Sequence, residues 1–126
     1  MTFLDTSLLV DALTGPKRSA PALRSAIDGR QRILLPTLVL YEWLRGPRLP
    51  QELAAQEALF PSESAVPLGW REAALCAKLY RSLLRARGRE IDLAIAACAI
   101  THEAALWTLN TADFKDIPGL RLYVPV

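Results

Sequence analysis

Four carboxylates stand where an apolar framework should exclude them: Asp5, Glu42, Asp92 and Asp113. Asp5 follows Thr2-Phe3-Leu4 and leads into Leu8-Leu9-Val10, and Glu42 divides Leu38-Val39-Leu40-Tyr41 from Trp43-Leu44. Asp92 sits at the start of the run Ile91 to Ala97, and Asp113 follows a short apolar segment and Asn110. Charged side chains are rarely buried without a compensating partner. No Lys or Arg adjoins Asp5, and none lies within the apolar run around Asp92. Two carboxylates about 4 Å apart repel by roughly 4 kcal/mol at an effective dielectric of about 20. A cluster of four therefore calls for a cation or for protons. Oxygen donors without His or Cys select a hard divalent cation, Mg2+ or Mn2+. Such sites activate water and stabilise charge on a phosphoryl oxygen, so the implied reaction is phosphodiester hydrolysis.

The elements that must position these acids are read from hydrophobic period and breakers. Thr2 to Asp5 reads as a short buried strand. A helix capped by Thr6 or Ser7 runs to Leu13 and ends at Gly15-Pro16. Residues 20–28 suggest a second helix, and Arg32 to Leu35 a second strand. Pro36 suits a first helical turn, and its helix runs to about Arg45. Another helix spans residues 50–59, and Ala65 to Leu68 is a weak edge strand because of Pro67. The spacing predicts a helix from Trp70 to Arg87, with Ala73, Ala74, Ala77, Tyr80, Leu83 and Leu84 on one face. Glu90 to His102 is apolar nearly all round, which argues for burial between layers. Ala105 to Leu109 and Leu120 to Val124 read as strands, with a short helix capped by Asn110 between them.

Strands alternating with helices indicate an α/β domain with a mainly parallel sheet. In open parallel sheets, ligands bind beyond the carboxyl ends of the strands. Asp5 ends the first strand, and Asn110 and Asp113 follow the strand around Trp107. Glu42 lies one to two turns into the helix after the second strand, and Asp92 in the first turn of its own helix. The topology thus lets all four acids converge on one edge.

Each acid also has an ordinary structural role open to it. Asp5 would serve as a helix cap, Glu42 as the partner of Arg45 on an exposed helix face, Asp92 as a first-turn acid favoured by the helix dipole, and Asp113 as the capping-box partner of Asn110. Their joint placement, rather than any one of them, favours the metal site. His102, near the end of the buried helix, reads as structural. Trp43, Trp70 and Trp107 are too scattered for a base-stacking platform and read as core.

The 126 residues suit one compact domain, 1–126, and 52% hydrophobic content is enough for a substantial core. A net charge of +2 does not by itself indicate nucleic-acid binding. The distribution says more: Arg81, Arg85, Arg87 and Arg89 crowd one stretch, and the planar guanidinium suits phosphate. A solvated helix end is the plain alternative. Cys76 and Cys98 lack ligand spacing, read as small buried residues, and fit a reducing cytoplasm. No signal-peptide pattern and no membrane-spanning run is visible.

Phe3-Leu4-Asp5-Thr6-Ser7, Glu42 after a Pro-started helix, Glu90-Ile91-Asp92-Leu93-Ala94-Ile95-Ala96-Ala97, and Thr108-Leu109-Asn110-Thr111-Ala112-Asp113-Phe114 together resemble a PIN domain, specifically the VapC-type ribonuclease toxins of type II toxin–antitoxin pairs. The resemblance covers essentially the whole chain and lies in the order and spacing of the motifs. It implies a short parallel sheet flanked by helices, an Mg2+ or Mn2+ site, RNA cleavage, a homodimer, and a small antitoxin covering the active site. Asp5, Glu42 and Asp92 match the family's first three acids. The last motif often carries an acid at the position of Asn110, at that of Asp113, or at both, so here Asp113 alone supplies the fourth carboxylate. Thr6 and Thr108 match hydroxyl positions that support the site. Arg85, Arg87 and Arg89 are candidates for RNA or partner contact. A PIN-fold binding module for RNA or protein, without useful turnover, is the alternative to a nuclease. A haloacid-dehalogenase-like phosphatase fits less well, since it wants an Asp where Ser7 stands.

Overall fold

The computed structural model describes residues 1–125. Strand β1 (Thr2–Leu4) is the centre of a three-stranded parallel sheet of order β2-β1-β3, with β2 at Ile33–Leu34 and β3 at Ala105–Trp107. All three β1 residues are buried, as expected for a parallel sheet covered on both faces. Helices α1 (Thr6–Leu13), α2 (Ala20–Asp28), α3 (Thr37–Arg45), α4 (Pro50–Leu59), α5 (Trp70–Ser82) and α6 (Glu90–Thr101) surround it. Helix α6 is buried without interruption from Leu93 to Ala99, which accords with its apolar character on every side. Its Ala-rich sequence lets neighbours approach closely, and it packs along α5 and against α3 and β3. The α/β architecture expected from the alternating pattern is the one observed.

Two expected strands, the weak Ala65 to Leu68 and the last strand Leu120 to Val124, shrink to single bridges. Val66 meets Pro36, and Leu122 meets Leu106, each in parallel. Around Leu122 the Leu106 N–H donates to the Arg121 carbonyl and the Tyr123 N–H to the Leu106 carbonyl, both at 2.8 Å. The apolar run Leu120 to Val124 thus extends the sheet edge at one point only. Pro36 lies at the N-cap of α3 with φ −62° and ψ 148°, one residue earlier than the expected first-turn position.

The largest correction concerns α5. It ends at Ser82, not Arg87, and Leu83 turns extended at φ −89° and ψ 143°. Two local causes act against continued helix. The Ser82 hydroxyl bonds back to the Leu79 carbonyl at 3.1 Å, competing with the backbone ladder. The chain must also turn to bury Ala86, which leaves Leu84 fully exposed. The apolar face expected on this helix is the outer one, since Ala73, Ala74, Ala77 and Tyr80 are exposed. The packing face is Glu72, Leu75, Cys76 and Leu79, spaced three and four apart. Trp43 and Trp107 are core residues as expected, whereas Trp70 is 77% exposed with the Arg71 guanidinium 5.2 Å from its ring. Cys98 is buried but Cys76 only half-buried, and both are free thiols. No helix among the described residues is long and apolar enough to cross a membrane.

Candidate active site

The site begins with the backbone of the central strand pair. Leu4 is in register with Trp107, and the Asp5 N–H donates to the Trp107 carbonyl at 2.9 Å. The next residue on each chain is therefore Asp5 beside Thr108, both at the carboxyl ends of parallel strands. Asp5 is the N-cap residue of α1, yet its side chain makes no capping bond. The ordinary capping role is not taken. Instead its Oδ2 accepts from the Thr108 hydroxyl at 2.7 Å and from the Ser7 hydroxyl at 2.9 Å. Asp5 is only 4% exposed, and among the described residues its Oδ1 has no hydrogen-bond partner within the chain.

Ser7 is the residue that sequence reasoning passed over. Its hydroxyl lies 3.2 Å from that of Thr108 and accepts the Leu109 N–H at 3.1 Å. Thr108 accepts the Asn110 N–H at 3.0 Å. Two hydroxyls thus bind the first turn of α1 to the segment leaving β3, with Asp5 between them. The visible signal was a hydroxyl residue two places after a strand-ending Asp, which a cap reading absorbed too easily.

Glu42 is half-buried on α3 and divides its two oxygens. Oε1 accepts from the Thr6 hydroxyl at 2.5 Å, and Oε2 pairs with Arg45 at 3.3 Å. The helix-face pair with Arg45 is present, and so is a tie to α1 beside Asp5. Asp92 occupies the first turn of α6. Its carboxyl is pushed up to about 6, by burial first and then by the negative charges of Asp5, Glu42 and Asp113. Arg89 acts in the opposite direction. Asp113 is exposed in the 3-10 turn Thr111–Asp113, whose N-cap Asn110 makes no side-chain capping bond. The capping-box role open to Asp113 is therefore not taken either.

The four carboxylates share one electrostatic field without crowding around one point. Among the described residues, no three Asp, Glu, His or Cys side chains gather closely enough to hold a metal ion as they stand. Like charges oppose closer approach, and two of the acids have taken other partners: Asp5 two hydroxyls, Glu42 a hydroxyl and a guanidinium. The donor set nevertheless fits a hard divalent cation. It is all oxygen, it concentrates negative charge on a half-buried Asp92, and it leaves Asp5 Oδ1 without a hydrogen bond.

The remaining candidates fall outside this field or at its edge. Arg85 and Arg87 are exposed on the connection after α5. Arg89 is turned inward onto Asp116 and the backbone of Asp113. His102 lies at the far end of α6, its Nε2 3.5 Å from Glu72 and its ring 5.7 Å from that of Phe3. The 3.5 Å contact is too long or too poorly aligned to satisfy the buried Nε2.

The same organisation recurs in known proteins. Residues 2–120 match the family model described as PIN domain. Ribonuclease VapC19 of Mycobacterium tuberculosis (strain ATCC 25618 / H37Rv) is 35% identical over 128 residues, covering 96% of this chain and 98% of that protein. DNA-bound VapBC from Salmonella typhimurium superposes with a TM-score of 0.82 at 21% identity, covering 97% of this chain and 96% of that one. A toxin–antitoxin complex from Klebsiella pneumoniae gives a TM-score of 0.74 at 23% identity over 100% of both chains. At these identities the two structures speak to fold.

Two measurements test the site's energetics. Thr108→Val keeps the shape but removes one donor to Asp5 and the acceptor of the Asn110 N–H. It should lower stability by about 1–2 kcal/mol in urea unfolding; an unchanged midpoint would show that the bonds are not formed. For Asp92, the folded-state value lies above the ordinary 3.8. Its ionised form therefore costs stability above about pH 6, and the cost fades as pH falls toward 3.8. Asp92→Asn, with a chelator present, should stabilise the chain at pH 8 by on the order of 1–2 kcal/mol after allowance for partial exposure. That gain should shrink toward zero near pH 4. A variant less stable than its parent at pH 8 would contradict the shared field.

Proposed function

The chain belongs to the PIN-domain family, and from that premise we propose that it is an Mg2+- or Mn2+-dependent endoribonuclease, the toxin of a type II toxin–antitoxin pair. The observation that carries this proposal is the convergence of four acids from four segments, in which Asp5, Glu42 and Asp113 all act on the half-buried Asp92. Four acids from four separate segments have no packing reason to repel one another beyond the carboxyl ends of a parallel sheet. A divalent cation supplies the reason: it neutralises the cluster and supports hydrolysis by polarising a phosphoryl oxygen and lowering the pKa of water.

Asp5 and Asp92 are the principal ligands in this proposal. Asp5 is presented by the strand end and turned by Ser7 and Thr108, which occupy Oδ2 and leave Oδ1 for a cation. Glu42 and Asp113 complete the charge and orient the attacking water. Thr6 holds Glu42, and Thr108 with Asn110 shapes the rim. Protons compete with a cation for the Asp92 carboxylate, so cation binding to the metal-free chain should tighten as pH increases through about 6.

Curated relatives named as ribonucleases support the substrate class, and solved toxin–antitoxin complexes support a small protein antitoxin as partner. The exposed Arg85 and Arg87 are suited to RNA backbone or partner contact. A homodimer and a cytoplasmic location complete the proposal, the latter in keeping with two unpaired thiols.

Purified protein with Mn2+ should cleave single-stranded RNA, and Asp5→Asn and Asp92→Asn should each reduce the rate by on the order of a hundredfold or more. Cleavage persisting in both variants would remove the metal-site assignment. A folded wild-type chain that binds RNA but never cuts it would favour the binding-module alternative.

A further inference from the structure

Arg89 is the N-cap residue of α6, three positions before Asp92. Its guanidinium forms a fork with Asp116: Nη1 donates to Oδ2 at 2.9 Å and Nη2 to Oδ1 at 2.7 Å. Nη2 also donates to the Asp113 backbone carbonyl at 2.7 Å, and Nη1 to the Arg85 carbonyl at 3.1 Å. The Arg89 side chain is 20% exposed, and Asp116 holds its pKa above the ordinary arginine value. In return Arg89 keeps Asp116 below the usual carboxylate range.

The segment so gripped has little else to hold it. Thr111, Ala112 and Asp113 are all exposed, and the burial that anchors this stretch comes from Phe114 and Ile117. With Asn110 uncharged, Asp113 and Asp116 are the two acids of the segment, and Asp116 is committed to Arg89. A donor fixed on the Asp113 carbonyl sets the peptide from which that side chain departs. The same Arg89 belongs to the turn that begins the helix bearing Asp92, a turn that needs Gly88 at φ 85°.

We infer that Arg89 is a positioning residue for the acidic site: with Asp116 as its counter-ion, it clamps the turn carrying Asp113 to the helix start carrying Asp92. The inference deepens the nuclease reading and rests on it. It differs from the role of an RNA-contacting cation, because the donors of Arg89 are turned onto groups of its own chain. It also requires arginine. A bidentate bond to Asp116 with a simultaneous bond to a carbonyl needs the planar fork, and a lysine ammonium supplies charge without that geometry.

The substitutions that separate the two roles are Arg89→Lys and Asp116→Asn in the full chain. Mn2+ affinity is read by calorimetry, kcat and KM with a single-stranded RNA, and folding by circular dichroism. A clamp predicts that each variant binds Mn2+ about tenfold more weakly and loses about tenfold in kcat with KM little changed. The double variant should be no worse than the poorer single one, since both break one interaction. Asp116→Asn is the sharper test, because removing a negative charge should tighten rather than weaken electrostatic attraction to RNA. Wild-type Mn2+ binding and kcat in both folded variants would overturn the clamp. So would a defect confined to Arg89→Lys that appears as raised KM and a reduced salt slope. A wild-type chain that neither binds Mn2+ nor cuts RNA would instead overturn the nuclease reading, and that outcome is visible before any Arg89 variant is made.

Discussion

The parallel pairing of β1 with β3 is the interaction on which the site depends. Leu4 opposite Trp107 places Asp5 beside Thr108, and the Asp5 N–H bonded to the Trp107 carbonyl holds them there. A slip of one residue would turn Phe3 and Leu106 to the opposite faces and carry Asp5 away from the hydroxyls that orient it. The pairing is secured by burial, since Phe3, Leu4 and Leu106 have no exposed surface and Trp107 has 3%. The core thus sets the register, and the register sets the carboxylate.

A second constraint follows from charge. Hydroxyls and guanidinium groups satisfy individual oxygens at the site without removing its net negative charge. Asp5 leans on Ser7 and Thr108, Glu42 on Thr6 and Arg45, and Asp116 on Arg89. Asp92 is the acid most opposed in its charged form, by burial first and then by the residual repulsion. Strain of this kind at a site, compensated by a tightly packed helix behind it, is the usual relation between stability and function. Helix α6 supplies the compensation: its first turn carries the unfavourable charge, and Leu93 to Ala99 form the most continuously buried stretch of the chain.

Much of this was legible in the sequence because the strongest signals are periodic or chemical. The buried run after Asp92 announced a helix between layers, and strand-ending Asp5 marked the carboxyl edge of the sheet. The departures arise where local pattern competes with tertiary demand. The stretch Ser82 to Arg87 has helical propensity, but burying Ala86 bends it away. Four of the residues at helical spacing, Ala73, Ala74, Ala77 and Tyr80, mark the outer face of α5, because small residues carry little information about which side is inward. Ser7 and Arg89 looked like a cap and a surface cation. Their partners, Thr108 and Asp116, lie 101 and 27 residues further along the chain, and no local rule reports contacts of that kind.

The account turns on one claim, that these separated carboxylates together bind a divalent cation. Diffraction from crystals grown with Mn2+, recorded on either side of the manganese absorption edge, tests it most directly. The predicted result is an anomalous peak bonded to a carboxylate oxygen of Asp5 and one of Asp92, with Glu42 and Asp113 drawn toward it. No peak at the carboxyl end of the sheet, or peaks only elsewhere on the molecule, would contradict the account.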